Sequence, residues 1–219
     1  MPGRTVTVRP LLFARWHLLF VLVELRSALR ADVSIGGDLR AAFGAFEGIL
    51  GIVLGSDALC DLLFGRLDDD ERYCRETGFT HPQEYLDLRA KLEELRKQYK
   101  SVVLVPCHCD YQPTNLVISG DKLYVLDWEF AGMNDPFYDI ACYGNAGFDK
   151  ALALLECYVG HQPTEDELHR LYFHRAFQCL QWYNVAIFKD RVGLSKDLNM
   201  DFNAVALMFL GMAKDLLER

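Results

Sequence analysis

His108-Cys109-Asp110-Tyr111-Gln112-Pro113-Thr114-Asn115, followed by Asp127-Trp128-Glu129, decides how this chain folds around its most reactive residues. Between the two pieces, Leu116-Val117-Ile118 and Leu123-Tyr124-Val125-Leu126 read as short strands. Ser119-Gly120-Asp121-Lys122 supplies the turn between them. In an antiparallel pair, the start of the first strand lies beside the end of the second. Asn115 precedes the first strand and Asp127 follows the second. The hairpin therefore predicts that the two meet, although eleven residues separate them. Asp110 sits one loop earlier, near enough to face the same place.

These residue types suit one kind of chemistry. Phosphoryl transfer needs a carboxylate to accept the proton of the attacking hydroxyl. It also needs oxygen ligands for the magnesium ion that bridges nucleotide phosphates. Asp110 is the candidate base. Asn115 and Asp127 are the candidate magnesium and nucleotide ligands. A lone H-x-D-x-x-x-x-N arises by chance in many chains, and Asp or Asn before a strand is commonly a turn residue. The hairpin and the second Asp are the context that favours a site over a turn.

The stretch Val105 to Phe148 resembles the aminoglycoside phosphotransferase and choline/ethanolamine kinase superfamily, bacterial choline kinases above all. His108 to Asn115 matches the family's H-x-D-x-x-x-x-N loop, including the Gln two residues after the Asp. Asp127-Trp128-Glu129-Phe130-Ala131-Gly132-Met133-Asn134-Asp135-Pro136 is similar to the D-[FW]-E-[YF]-A-G-x-N-D-P run of the choline kinases. Asp139 matches the second Asp of the D-P-x-x-D-[LI]-A segment. The resemblance implies that Asp110 is the catalytic base and that Asn115 and Asp127 hold magnesium, with ATP as phosphoryl donor. It implies that His108, Gln112 and Asp139 support the loop, with Asp139 bracing it through backbone hydrogen bonds. Trp128 and Glu129 are expected at the mouth of the acceptor pocket. Trp182-Tyr183, with Tyr143 and Trp128, could form an aromatic cage for a quaternary ammonium; core packing is the competing reading of these late aromatics.

The implied fold is α+β: a protein-kinase-like carboxy-terminal lobe, mostly helical with a short catalytic β-hairpin. Full-length members begin with a small β-rich nucleotide-binding lobe. No Gly-rich loop followed by a strand lysine precedes the catalytic loop here, and no lysine occurs before Lys91. Gly36, Gly37, Gly44, Gly48, Gly51 and Gly55 punctuate an apolar stretch in no phosphate-loop order, as packing and turn residues do. The expectation is that the small lobe is missing or truncated. Residues 1–80 are then a mainly helical amino-terminal segment and 81–219 the kinase-like lobe. The implied function is ATP-dependent phosphorylation of a small cationic acceptor, choline first and an aminoglycoside second. The alternative class is a catalytically inactive pseudo-kinase or truncated lobe acting as a binding module. Weak or absent turnover is expected from these 219 residues alone, because one side of the transferred phosphate lacks its clamp.

Composition bounds the partners. Apolar residues make up 51% of the chain, enough for a core, and charged residues 25%. A net charge of −8 argues against nucleic acid or an anionic membrane as main partner, and an acidic cleft suits a cationic substrate. Self-association through a surface that a missing lobe would cover is the other expectation. Seven cysteines, an odd number without framework spacing, predict reduced thiols and a cytoplasmic location. Leu18 to Val23 is too short and too closely bounded by Arg15, His17 and Glu24 to span a bilayer.

Apolar spacing predicts helices over Leu11–Leu29 and Leu39–Leu54, then a polar loop with a short helix over Asp61–Gly78. Pro82 opens a helix reaching Tyr99, which leads into a strand over Val102–Val105. Helices are expected over Asp139–Ala146, Lys150–Tyr158 and Asn203–Leu217. Another starts at Thr164, an N-cap with Glu167 at the capping-box position.

Overall fold

The computed structural model describes residues 56–99 and 102–218. The helices expected before residue 55, the glycine-punctuated stretch and the apolar run at 18–23 lie outside the described residues. The described residues belong to one compact unit, 52–219.

Helix α1, Ser56–Glu76, is one continuous helix where the acidic run had suggested a loop. The reason is a buried stripe: Leu59, Leu63 and Leu67 recur every four residues, with Cys60, Phe64 and Cys74 beside them. Asp68 and Asp69 of the acidic run face outward, and three of its four carboxylates are paired. Arg72 bridges Asp69 and Glu76, and Arg89 of the next helix reaches Asp68 and Glu71. Helix α2, Gln83–Arg96, starts at Pro82 and buries Tyr85, Leu88 and Leu92, following the spacing read from the sequence.

Strand β1 is Val105–Cys107, slightly later than expected. It pairs antiparallel with β4, Gly132–Asn134, matching Val105 to Asn134 and Cys107 to Gly132. Strands β2, Leu116–Ser119, and β3, Lys122–Val125, form the anticipated hairpin. Leu116 faces Val125 and Ser119 faces Lys122, so the turn is only Gly120-Asp121. Gly120 has φ +59°, a conformation glycine adopts without steric cost.

Helices α3, Pro136–Tyr143, and α4, Phe148–Val159, follow. The long helix α5, Glu165–Arg191, begins with the expected capping box. The Thr164 N–H donates to Glu167 at 2.8 Å and the Glu167 N–H donates to the Thr164 hydroxyl at 3.3 Å. A short turn, α6 at Leu194–Asp197, leads to α7, Phe202–Leu217.

Helix α5 is the centre of the unit. It packs against α1, α2, α3 and α7 and buries residues around its whole circumference, Leu171, Phe173, Phe177, Leu180 and Tyr183 among them. Burying one such side chain contributes roughly 1.5–3 kcal/mol. The arrangement is a largely helical, kinase-like lobe with one short hairpin, as the sequence implied, and the β1–β4 pair in addition. No described helix is long and apolar enough to cross a membrane. All seven cysteines are free thiols.

Candidate active site

The site is assembled where β1 runs into the loop His108–Asn115. Asp139, in the first turn of α3, braces that loop. Its Oδ2 accepts the His108 N–H and its Oδ1 the Cys109 N–H, both at 2.7 Å. Cys109 is left-handed, with φ 62°, which is unusual for a residue with a side chain. That conformation lets successive N–H groups point toward one anion. Burial pushes the Asp139 carboxyl above its ordinary pKa, and the two N–H bonds work against that rise.

His108 is almost fully buried. Its Nε2 donates to the Leu126 carbonyl at 2.7 Å, and its Nδ1 accepts the Asp110 N–H at 3.2 Å. Both ring nitrogens are therefore committed to backbone groups, an arrangement that fixes the neutral Nε2–H tautomer. The imidazole ties the loop to the end of the hairpin.

Asp110 is half-buried at the loop's outer end. Its Oδ2 accepts the side-chain amides of Gln112 at 3.1 Å and Asn115 at 3.0 Å. The Asn115 amide also donates to the Asp110 carbonyl at 2.9 Å. Desolvation raises the Asp110 pKa; the Asn115 and Gln112 bonds oppose this, and the nearby charge of Asp127 adds to it. Asp127 is thus within electrostatic reach of Asp110. The Leu126 N–H donates to the Asn115 carbonyl at 2.8 Å, extending the hairpin ladder by one residue. Asp127 comes next, exposed and left-handed with φ 62°, at the start of the single turn Trp128–Phe130. The hairpin brings Asn115 and Asp127 to one end, and Asp110 lies against Asn115.

A carboxamide and a carboxylate at one hairpin end are hard oxygen donors. Magnesium typically takes one or two such groups and completes its shell with phosphates and water. The donor set fits that ion. The described residues hold no group of three or more His, Cys, Asp or Glu side chains that could hold a metal ion. Burial pushes the Cys109 thiol up to about 11, which leaves no thiolate beside Asp110 near neutral pH.

The expected aromatic cage is only partly assembled. Trp128 is exposed and packs edge-on against His108, ring centroids 4.7 Å apart, and its indole N–H donates to the Val125 carbonyl at 2.8 Å. Tyr111, which the sequence reading passed over, lies 6.2 Å from His108 and 6.3 Å from Tyr143. The rings Trp128, His108, Tyr111 and Tyr143 thus form a line along the loop. Trp182 does not join it. It stacks on Phe209 of α7 at 6.3 Å, held by core packing between the last long helices. Glu129 is exposed beside Trp128.

A second set of residues was missed. Asp135 is fully buried and receives donors from three parts of the chain. Its Oδ1 accepts the Phe137 N–H at 2.9 Å, capping α3. Arg170 grips both oxygens, at 2.6 and 3.0 Å. The Tyr99 hydroxyl donates to Oδ2, and His174 Nε2 lies 3.2 Å from the same oxygen. Burial alone would raise the Asp135 pKa, but His174 and Arg170 outweigh it and hold the carboxyl well below its ordinary value. The signal that could have found the cap is Asp-Pro before an apolar helix, with Pro at the first helical position.

A sequence profile described as the phosphotransferase enzyme family matches residues 30–172 of this chain. The chain belongs to that family. Among relatives, Protein LicA of Haemophilus influenzae is 35% identical over 137 residues, which span 58% of this chain and 48% of that protein. The chain thus spans about half the length of this relative. A choline/ethanolamine kinase family protein from Mesorhizobium loti has a similar structure: TM-score 0.62, 26% identity, covering 72% of this chain and 55% of that one. The choline kinase LicA from Streptococcus pneumoniae shares the fold at TM-score 0.55 and 20% identity, over 71% of this chain and 55% of its own. The described residues of this phosphotransferase family member therefore share the fold of those two proteins.

Proposed function

We propose that this phosphotransferase moves the terminal phosphoryl group of ATP to the hydroxyl of a small cationic acceptor, choline first. The observation that carries the reading is the convergence of Asp110, Asn115 and Asp127 at one end of the β2–β3 hairpin. The names of the LicA and choline/ethanolamine kinase relatives support the choice of acceptor.

In this reading Asp110 is the base. The acceptor oxygen forms its bond to the γ-phosphorus as the bond from phosphorus to the ADP oxygen breaks. The hydroxyl proton passes to Asp110. Gln112 and Asn115 aim the carboxylate by holding one of its oxygens, leaving the other for the hydroxyl. Asn115 and Asp127 would hold magnesium, which, when bound, neutralises phosphate charge. Asp139 and His108 keep the loop in place, so positioning supplies most of the rate. Trp128 and Tyr143 offer ring faces to a quaternary ammonium, with Glu129 adding negative charge. The exposed hairpin end suits a soluble small-molecule substrate. A reducing, cytoplasmic compartment suits the seven free thiols.

The test is ADP release by the purified chain with choline, ethanolamine and an aminoglycoside, together with calorimetric titration of choline. Choline-dependent turnover, however slow, that disappears in Asp110→Asn supports the reading. Turnover unchanged in that variant removes Asp110 as base. Preference for the aminoglycoside, or no response to choline in either measurement, overturns the acceptor.

A further inference from the structure

We propose that Arg170 is a positioning residue for the catalytic loop, acting through Asp135 and α3 from outside the site itself. Its catalytic consequence rests on the phosphotransferase reading; its effect on the loop does not. A continuous chain of bonds connects the two. Arg170 holds both Asp135 oxygens. Asp135 caps the first turn of α3 through the Phe137 N–H. Four residues later, on the same turn of helix, Asp139 holds the His108 and Cys109 N–H groups. Cys109 leads directly into Asp110.

Two features mark this as more than a fold contact. Arg170 grips the carboxylate with a two-point geometry, which fixes orientation as well as distance. Its guanidinium carbon also lies 3.8 Å over the Phe137 ring, so the plane is clamped between the cap residue and the first turn it caps. Tyr99 and His174 complete the grip from the end of the α2 segment and from α5. The position and tilt of α3 are thus set by charge geometry at its start. The loop inherits that tilt through Asp139, which offers only two oxygens to two N–H groups.

Arg170 is partly exposed, with 23% of its side chain accessible, so the slot it leaves on truncation can be reached from solvent. This makes chemical rescue possible. The experiment is amide hydrogen exchange by NMR on the full chain, following His108 and Cys109, with the amides of α7 as the reference for global stability. Arg170→Ala should speed exchange at His108 and Cys109 about tenfold, the scale of one lost buried hydrogen bond, while α7 is unchanged. Guanidinium ion at low millimolar concentration should restore most of the protection, and Arg170→Lys should restore part of it. A residue that only stabilises the fold would move loop and α7 amides together and would show no rescue. Tyr99→Phe removes one donor and leaves the packing, so it decides the matter if Arg170→Ala does not fold; it should loosen the same two amides to a smaller degree. Wild-type exchange at His108 and Cys109 in the folded variants overturns the proposal. Loosened amides beside an ADP release that Asp110→Asn leaves unchanged would leave Arg170's role standing and overturn Asp110 as base instead.

Discussion

The Asn115 side-chain amide donates to the Asp110 carboxylate at 3.0 Å, so the nitrogen end of that amide is committed to the candidate base. Its oxygen is the end that remains for a cation. One residue thus connects the proposed base with the proposed metal-holding end of the hairpin, and the two should respond differently when either is cut.

Asp110→Asn keeps the shape of the side chain and removes its basicity. In a protein that turns over, transfer should fall by about 10²–10⁴-fold, the range of a lost general base. Nucleotide affinity in the presence of magnesium should stay close to that of the wild type, because the base acts on the acceptor. Paired kinetic and calorimetric measurements check this.

Asp127→Ala should give the opposite pattern. Nucleotide binding should lose its dependence on magnesium, and titrations with and without the ion should become alike. Asn115→Ala should do the same and, in addition, release Asp110 from two of its hydrogen bonds.

The raised pKa of Asp110 sets the sign of the acid limb. A base must be ionised to accept a proton, so kcat/KM should fall with acidification at a higher pH than an unperturbed carboxylate would give. The same shift makes the ionised form costly to the fold. Stability from this group is present below the unfolded pKa and is lost as pH rises through the folded one. Asp110→Asn should therefore fold at least as stably as wild type at neutral pH, a result that urea titration reads directly.

Asp70 on α1 gives a cleaner case. Burial, opposed by Arg66 and a hydrogen bond from Gln181, pushes its pKa up to about 6. The stability associated with its protonated form is lost as pH rises from near 4 through 6. Asp70→Asn should thus stabilise the protein at pH 7 by on the order of 1–2 kcal/mol, and by almost nothing near pH 4. Denaturant midpoints at the two pH values should differ accordingly.

Asp135 carries the reverse sign, because its carboxyl is held below the ordinary value. Its stabilisation is present above the unfolded carboxylate pKa and is lost as pH falls toward the folded one. Asp135→Asn should cost roughly 3 kcal/mol at neutral pH, since it leaves Arg170 and the helix start without their anion. Thermal denaturation against pH should show the gap to wild type closing in acid.

What could be read from the sequence was local. The β2–β3 hairpin, the helix after Pro82 and the capping box at Thr164 each depend on residues within a few positions of one another. The convergence of Asn115 and Asp127 followed from the hairpin alone. Helix α1 was misread because Asp68 to Glu71 look like a solvated loop; the Leu59, Leu63 and Leu67 stripe is decisive only once α2 and α5 cover it. Strand β4 is three residues long and its partner begins 27 residues earlier, too short and too distant for periodicity to report. The Asp135 grip joins Tyr99, Asp135, Arg170 and His174, which no spacing rule links. Trp182 was drawn toward the site by its type, and the stacking against Phe209 that holds it is a contact between helices.

Leu126 has a side chain half open to solvent and no functional group, yet its main chain is where the loop and the hairpin meet. Its N–H holds the Asn115 carbonyl and its carbonyl holds the His108 ring. An alanine scan would pass over it, since alanine keeps both backbone atoms. Replacing the residue 126 amide with an ester removes the N–H and keeps the side chain, whereas proline would also lock φ. A survey of side chains would therefore rank as dispensable the position through which the loop of Asp110 and the hairpin end carrying Asn115 and Asp127 are kept in register.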